Sequence, residues 1–113
     1  MDQTTAERIL SEIDGAARVS EKLATLVPAL KRHALVYAHI RATWALLSLR
    51  ERAAGGAHRT RMHDAFIDSC DALSRAMKEA EMDNSWRASA GTDRQSIGDL
   101  ACYLHCIFGL RSR

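Results

Sequence analysis

The stretch DRQSIGDLACYLHCIFGL, residues 93–110, decides the fold class of this chain. From Ile97 onward its apolar side chains recur at the 3.6-residue spacing of an α-helix, and Asp99 and His105 are almost the only polar side chains among them. The apolar positions are Ile97, Leu100, Ala101, Leu104, Ile107, Phe108 and Leu110. A helix that is apolar around most of its circumference must be buried, either in its own core or against a partner. This stretch therefore predicts an all-α core.

A second apolar helix is predicted over residues 29–53. It follows the single proline, Pro28, which suits the first turn of a helix. The Gly55–Gly56 pair is expected to end it, because glycine tolerates the left-handed conformation found after helix ends. One face of this helix is formed by Leu30, His33, Tyr37, Ile40, Trp44 and Leu47. Its apolar circumference places it at the centre of the fold.

Two further helical stretches complete the prediction. Residues 5–27 form one helix, or two short helices broken near residues 15–20, after a capping-box match at Thr4 and Glu7. Residues 60–82 form an amphipathic helix with an acidic outer face. A second capping-box match, at Thr92 and Gln95, begins the last helix. The chain is thus expected to be one domain, residues 1–113, folded as a bundle of four to five helices with a long central helix.

Stripes of small residues predict which helices pack together. The central helix carries alanines at positions 34, 38, 42 and 45. The last helix carries a stripe made of Gly98, Cys102, His105 and Gly109. Small facing residues let two helix axes approach closely. We therefore expect these two helices to pack on each other, within one chain or across a symmetric interface.

The composition bounds the setting of the protein. With 113 residues, 47% of them apolar and 27% charged, the chain suits one globular domain, and its net charge is only +2. Three cysteines without disulfide-like spacing and a polar N-terminus without a signal-peptide core favour a reducing, cytoplasmic location. No apolar run reaches the ~18 residues that a membrane span needs, so no membrane partner is expected.

No catalytic motif is present in the sequence. There is no Gly-x-Ser-x-Gly elbow, phosphate loop or dinucleotide fingerprint, so we predict a protein that is not an enzyme and has no cofactor. Cys102, His105 and Cys106 are weak candidates for a metal or thiol site, because two cysteines four residues apart share a helix face. The alternative is packing, since a buried free cysteine behaves as a small hydrophobe.

A cationic cluster surrounds the double glycine. Its members are Arg50, Arg52, His58, Arg59, Arg61 and His63. They are expected to meet at one end of the bundle, joined by Arg111 and Arg113 if the C-terminus lies nearby. Such a patch binds phosphates without reading sequence, or binds an acidic protein surface. A solvated loop is the simpler interpretation.

Trp86 lies outside the regular helical pattern. A tryptophan in such a position closes the core as a lid, or anchors a partner, because tryptophan is enriched among binding hot spots. We favour the lid.

These observations favour a non-enzymatic helical interaction module, such as a small subunit, adaptor or inhibitor. It is expected to act through protein–protein contacts, with a partner protein or as a homo-oligomer. The first alternative is sequence-independent nucleic-acid binding through the cationic cluster. The second is a cysteine and histidine site for a metal or for thiol chemistry.

Overall fold

The computed structural model describes the backbone of residues 1–111 and the side chains of residues 1–106. That part of the chain contains five α-helices and no β-strand. The helices are α1 (Gln3–Ala16), α2 (Glu21–Trp44), α3 (Leu49–Glu79), α4 (Trp86–Ala90) and α5 (Arg94–Arg111). The prediction of a compact all-α domain with a long central helix is confirmed. The side chains of Ile107, Phe108, Gly109, Leu110, Arg111 and Arg113, which the sequence analysis used, lie outside the described residues.

Helix α2 is the centre of the fold, because its most extensive contacts are with α3 and with α5. Its buried side chains are Leu23, Val27, Leu30, Ala34, Tyr37 and Ala38. They meet a core face of α5 formed by Ile97, Leu100, Ala101 and Leu104, each 0% exposed. The predicted packing of the central helix on the last helix is therefore confirmed. Only half of the predicted alanine stripe takes part, since Ala42 and Ala45 are exposed.

The predicted boundaries of the central helix, residues 29–53, are wrong at both ends. Helix α2 begins at Glu21, after Ser20, whose hydroxyl accepts a hydrogen bond from the Leu23 N–H at 3.2 Å. Pro28 lies inside the helix instead of at its start. A proline there leaves the carbonyl of Ala24 without its usual donor. Both residues are exposed, so water can satisfy that carbonyl.

A capping box ends the predicted helix early and starts the next one. The Ser48 hydroxyl accepts from the Glu51 N–H at 3.1 Å, and the Glu51 carboxylate accepts from the Ser48 N–H at 2.9 Å. This reciprocal pair satisfies donors that a helix start otherwise leaves unpaired. Helix α3 therefore begins at Leu49, and Gly55 and Gly56 lie inside it instead of ending a helix. The predicted helix over residues 60–82 is the second half of α3.

The outer helices are capped by aspartates rather than by the predicted threonines. Asp2 accepts from the Thr5 N–H at 2.7 Å, and Asp93 accepts from the Ser96 N–H at 3.1 Å. Both caps lie within two residues of the predicted ones. The predicted stretch 5–27 is two helices, α1 and the start of α2, separated by residues 17–20.

Replacing Gly56 by alanine is expected to stabilise the protein by about 0.5–1 kcal/mol, because glycine in a helix interior loses more backbone entropy than alanine. A Cβ at Gly56 meets no atom within 4 Å. Urea denaturation followed by circular dichroism measures the change. Gly91→Ala is the matched control and should destabilise, since Gly91 has a φ of 76° and its Cβ would lie 3.1 Å from the Ser96 Cβ. Destabilisation by both variants would instead place a helix end at Gly56.

Candidate partner-binding groove

An open groove of about 460 Å³ lies where α2, α3 and α5 meet. It is lined by Leu35, Val36, His39, Ile40, His58 and His105. The first four belong to α2, while α3 and α5 contribute one histidine each. Leu35 is 47% exposed and Val36 is 41% exposed. The groove therefore presents aliphatic side chains of the central helix to solvent, with an imidazole from each of three helices beside them.

A second exposed apolar feature lies at the turn between α2 and α3. Leu46 and Leu49 flank this turn, and each is 83% exposed. They line none of the three cavities described here. Isolated exposed leucines are common on protein surfaces, so the turn by itself indicates little.

Two cations of the predicted cluster serve the fold. The Arg52 guanidinium donates from Nε to the Trp44 carbonyl and from Nη2 to the Ala45 carbonyl, both at 3.1 Å. These carbonyls belong to the last turn of α2 and its cap, which lack helical donors of their own. The Arg59 guanidinium lies 4.5 Å from the centre of the Trp44 ring, a cation–π contact. Arg52 and Arg59 thus clamp the start of α3 to the end of α2.

The predicted cluster is consequently not one continuous surface. His63 is 9% exposed, with its ring edge against Tyr37 and its Nδ1 3.2 Å from an Asp64 carboxylate oxygen. It is buried because α3 faces the core from this turn onward, so its inclusion in a binding surface was wrong. The exposed members are Arg50, His58 and Arg61. They lie along α3 instead of around a loop.

Trp86 is fully buried, at 0% exposure. Its indole N–H donates a hydrogen bond to the Met77 sulfur, with 3.1 Å between nitrogen and sulfur. The ring belongs to the core shared by α1, α3 and α5. This position is that of a lid on the core. A partner cannot contact the ring while the fold is intact, so the prediction of a partner anchor at Trp86 was wrong.

The cysteine and histidine candidates face different cavities. Cys102 and Cys106 line a cavity of about 350 Å³ together with Met1, Arg41, Asp99 and Tyr103, whereas His105 lines the groove. One residue step around a helix turns a side chain by about 100°, which separates His105 from Cys106. Among the described side chains, no three histidine, cysteine or acidic residues come together in a way that could hold a metal ion.

Asp99 joins three parts of the fold beside this cavity. Its carboxylate accepts from the Met1 ammonium at 3.0 Å and from Arg41 at 3.1 Å. Burial by itself would raise the pKa of Asp99, but the hydrogen bonds from Met1 and Arg41 outweigh it, and the pKa is lowered. Arg41 reaches Asp99 across Gly98, where a Cβ would lie 2.5 Å from the guanidinium. An alanine at position 98 would therefore displace the Arg41 guanidinium from its present position beside Asp99.

A histidine–serine pair that the sequence analysis missed links α2 to α3. His33 Nδ1 hydrogen-bonds Ser69 Oγ, and both residues line a cavity of about 310 Å³ with Asp68. A nucleophilic serine also needs donors that stabilise an oxyanion. Ser69 lies inside α3, where backbone N–H groups are bonded to carbonyls four residues earlier. The pair therefore connects two helices without the surroundings of a catalytic site.

Comparison of the chain with protein-family models, with curated protein sequences and with solved structures gave no significant match. Across the described residues, no helix combines the length and apolar character needed to cross a bilayer.

Replacing Asp99 by asparagine is expected to lower the free energy of unfolding by about 2 kcal/mol, because two cations lose their shared anion in a partly buried site. The contribution of Asp99 is present above its unfolded pKa of about 3.9 and is lost as the pH falls through its lower folded pKa. Urea denaturation at neutral and acidic pH measures both effects. The control is Glu79→Gln, which removes the ion pair of Lys22 with Glu79. These side chains are 66% and 70% exposed, so the free energy of unfolding should change by less than about 0.5 kcal/mol. Equal losses in the two variants would contradict the special role of Asp99.

Cys70 is expected to make stability fall with alkaline pH. Burial raises the pKa of the Cys70 thiol to about 12, whereas an unfolded thiol ionises near pH 8.5. Between these values the unfolded chain releases a proton that the folded chain keeps, so the free energy of unfolding decreases as the pH rises. Denaturation at pH 8 and at pH 10 should therefore show a smaller decrease for Cys70→Ala than for the wild type. Cys106→Ala replaces an exposed thiol and should show the same decrease in the free energy of unfolding as the wild type. If Cys70→Ala also showed the full wild-type decrease, the assignment to Cys70 would be refuted.

Proposed function

We propose that this chain is a non-enzymatic protein-interaction module whose groove between α2, α3 and α5 receives the apolar face of a partner's helix. The observation that carries the proposal is the aliphatic lining of the groove, where Leu35 and Val36 remain 47% and 41% exposed on a concave surface. A groove between helices that exposes aliphatic side chains suits an amphipathic helix, which supplies apolar residues at i, i+3, i+4 and i+7.

A partner protein suits this surface better than a second copy of the chain. Arg32 and His39 flank the aliphatic residues on α2, and His58 and Arg61 do so on α3. A two-fold contact places the same patch of both copies face to face. Arg32 and Arg61 of one copy would then share an interface with Arg32 and Arg61 of the other, and the described lining of the groove offers no carboxylate to balance them.

Nucleic acid is the weaker occupant. Phosphates are bound by arginine and lysine, and the sequence offered six cationic or histidine side chains for this role. Arg52 and Arg59 are engaged by Trp44 and the end of α2, and His63 is buried. The aliphatic side chains of the groove lining offer a phosphate backbone no hydrogen-bond donor. Nucleic-acid binding is therefore the alternative against which peptide binding is compared in the experiments below.

The proposal includes a reducing, cytoplasmic setting. Cys70, Cys102 and Cys106 are all free thiols, and free cysteines are usual where cellular reductants keep thiols reduced.

Val36→Asp is expected to weaken partner binding by about tenfold or more, because an unpaired carboxylate would be buried in the apolar contact. The probe is a displayed library of amphipathic helical peptides with uncharged flanks, from which binders of the wild-type chain are selected. Their affinities for wild type and variant are then measured by fluorescence anisotropy.

Leu46→Asp is the matched control, because it places the same charge on an exposed aliphatic residue outside the groove. It should leave the affinities unchanged, and circular dichroism should show both variants folded. Binders that ignore Val36→Asp, or a wild-type chain that binds a random oligonucleotide more tightly than any selected peptide, would contradict the proposal.

A further inference from the structure

Among the described residues that line the groove, the polar side chains are all histidines. His39, His58 and His105 come from α2, α3 and α5, and no carboxylate is found among the lining residues whose side chains the structure describes. His39 and His58 are exposed, and His105 is partly buried. Histidine is the one side chain whose ordinary charge change falls between pH 5 and pH 8. The rim can therefore gain positive charge in that range.

The permanent charges next to the groove have the same sign. Arg32 lies one helical turn before Val36, and Arg61 lies one turn after His58; both are exposed, and neither forms an ion pair with a described residue. Residues one turn apart lie on the same side of a helix. The two arginines thus extend the histidine rim into a basic border.

The nearest carboxylates are few and mostly engaged. Helix α2 has no acidic residue after Glu21. On α3 the carboxylates that precede and follow His58 in the sequence are Glu51, which is engaged in the capping box with Ser48, and Asp64, which contacts His63. On α5 the carboxylate that precedes His105 is Asp99, which is held by Arg41 and Met1. A protonated imidazole at His39 or His58 therefore lacks a carboxylate of this chain in the groove lining. An acidic partner would supply one.

We propose that the groove selects a helix whose apolar stripe is flanked by aspartate or glutamate, and that binding tightens as the pH falls from about 7.5 to about 5.5. This rests on the proposed function of the groove. Over this range the partner's carboxylates stay ionised, because their ordinary pKa values lie near 4. Protonation of His39 and His58 adds positive charge opposite them, so the complex takes up protons and its affinity rises with acidity.

The test uses two synthetic amphipathic peptides with one apolar stripe, flanked by glutamates in the first and by lysines in the second. Affinities are measured by fluorescence anisotropy at pH 7.5 and at pH 5.5 in low salt, since salt screens exposed charges. Two or three rim pairs predict a preference of about five- to tenfold for the glutamate peptide, increasing at the lower pH.

The double variant His39→Gln/His58→Gln separates titration from shape. It should lose the gain in affinity for the glutamate peptide between pH 7.5 and pH 5.5, whatever its affinity at pH 7.5. His33→Gln, which removes a histidine outside the groove, should keep the gain.

Each remaining outcome decides between the two proposals. If both peptides bind alike at both pH values and both are lost in Val36→Asp, the groove binds helices but the acidic preference is refuted. If neither peptide binds at its solubility limit, both proposals fail. An oligonucleotide that displaces the glutamate peptide at equal or lower concentration would assign the basic border to nucleic acid and overturn the inference.

Discussion

Helix α2 carries apolar side chains around more of its circumference than α3 and α5 cover, and much of the structure follows from this imbalance. One side of α2, with Leu30, Ala34 and Tyr37, is buried in the core. Leu35 and Val36 point away from that side because each residue turns by about 100° from the last, and Ile40, one turn after Tyr37, lies at its border. They form the aliphatic lining of the groove, whose walls are the two helices that cover the rest of α2. The core and the candidate site are thus two sides of one helix.

The first half of α3, residues 49–62, is held in place by the end of α2 and not by the core. No residue between Leu49 and Met62 is buried, so this half of α3 gains little from the core. Contacts with the Trp44 ring fix it instead. The Arg59 guanidinium lies over the face of the ring, and a Cβ added at Gly55 would lie 3.5 Å from a ring carbon. Arg52 caps the end of α2. Cations that look like a ligand site in the sequence therefore hold one wall of the groove in place.

The sequence was sufficient for the fold class because apolar periodicity is a local property. It failed at both ends of α2: Pro28 suggested a start that is too late, and the double glycine suggested an end that is too late, although Ser48 and Glu51 already had capping-box spacing. The groove was out of reach for a different reason. Its histidines are far apart in the chain, at positions 39, 58 and 105, and they meet only because α3 runs back along α2 and α5 packs beside it. Periodicity predicts that each helix has a buried face but gives neither the register nor the neighbour.

The size of the groove indicates what must decide its occupant. Three aliphatic side chains that are already partly covered would contribute about 1 kcal/mol each when a partner removes their remaining contact with water. Association itself costs at least about 4 kcal/mol in lost translational and rotational freedom. The apolar lining alone therefore gives little net affinity, although walls fixed by the core and by Trp44 avoid a further cost of ordering the site. Charged side chains at the rim must then discriminate among helices of similar apolar character. Complementary charges there change affinity and association rate more than additional buried area does.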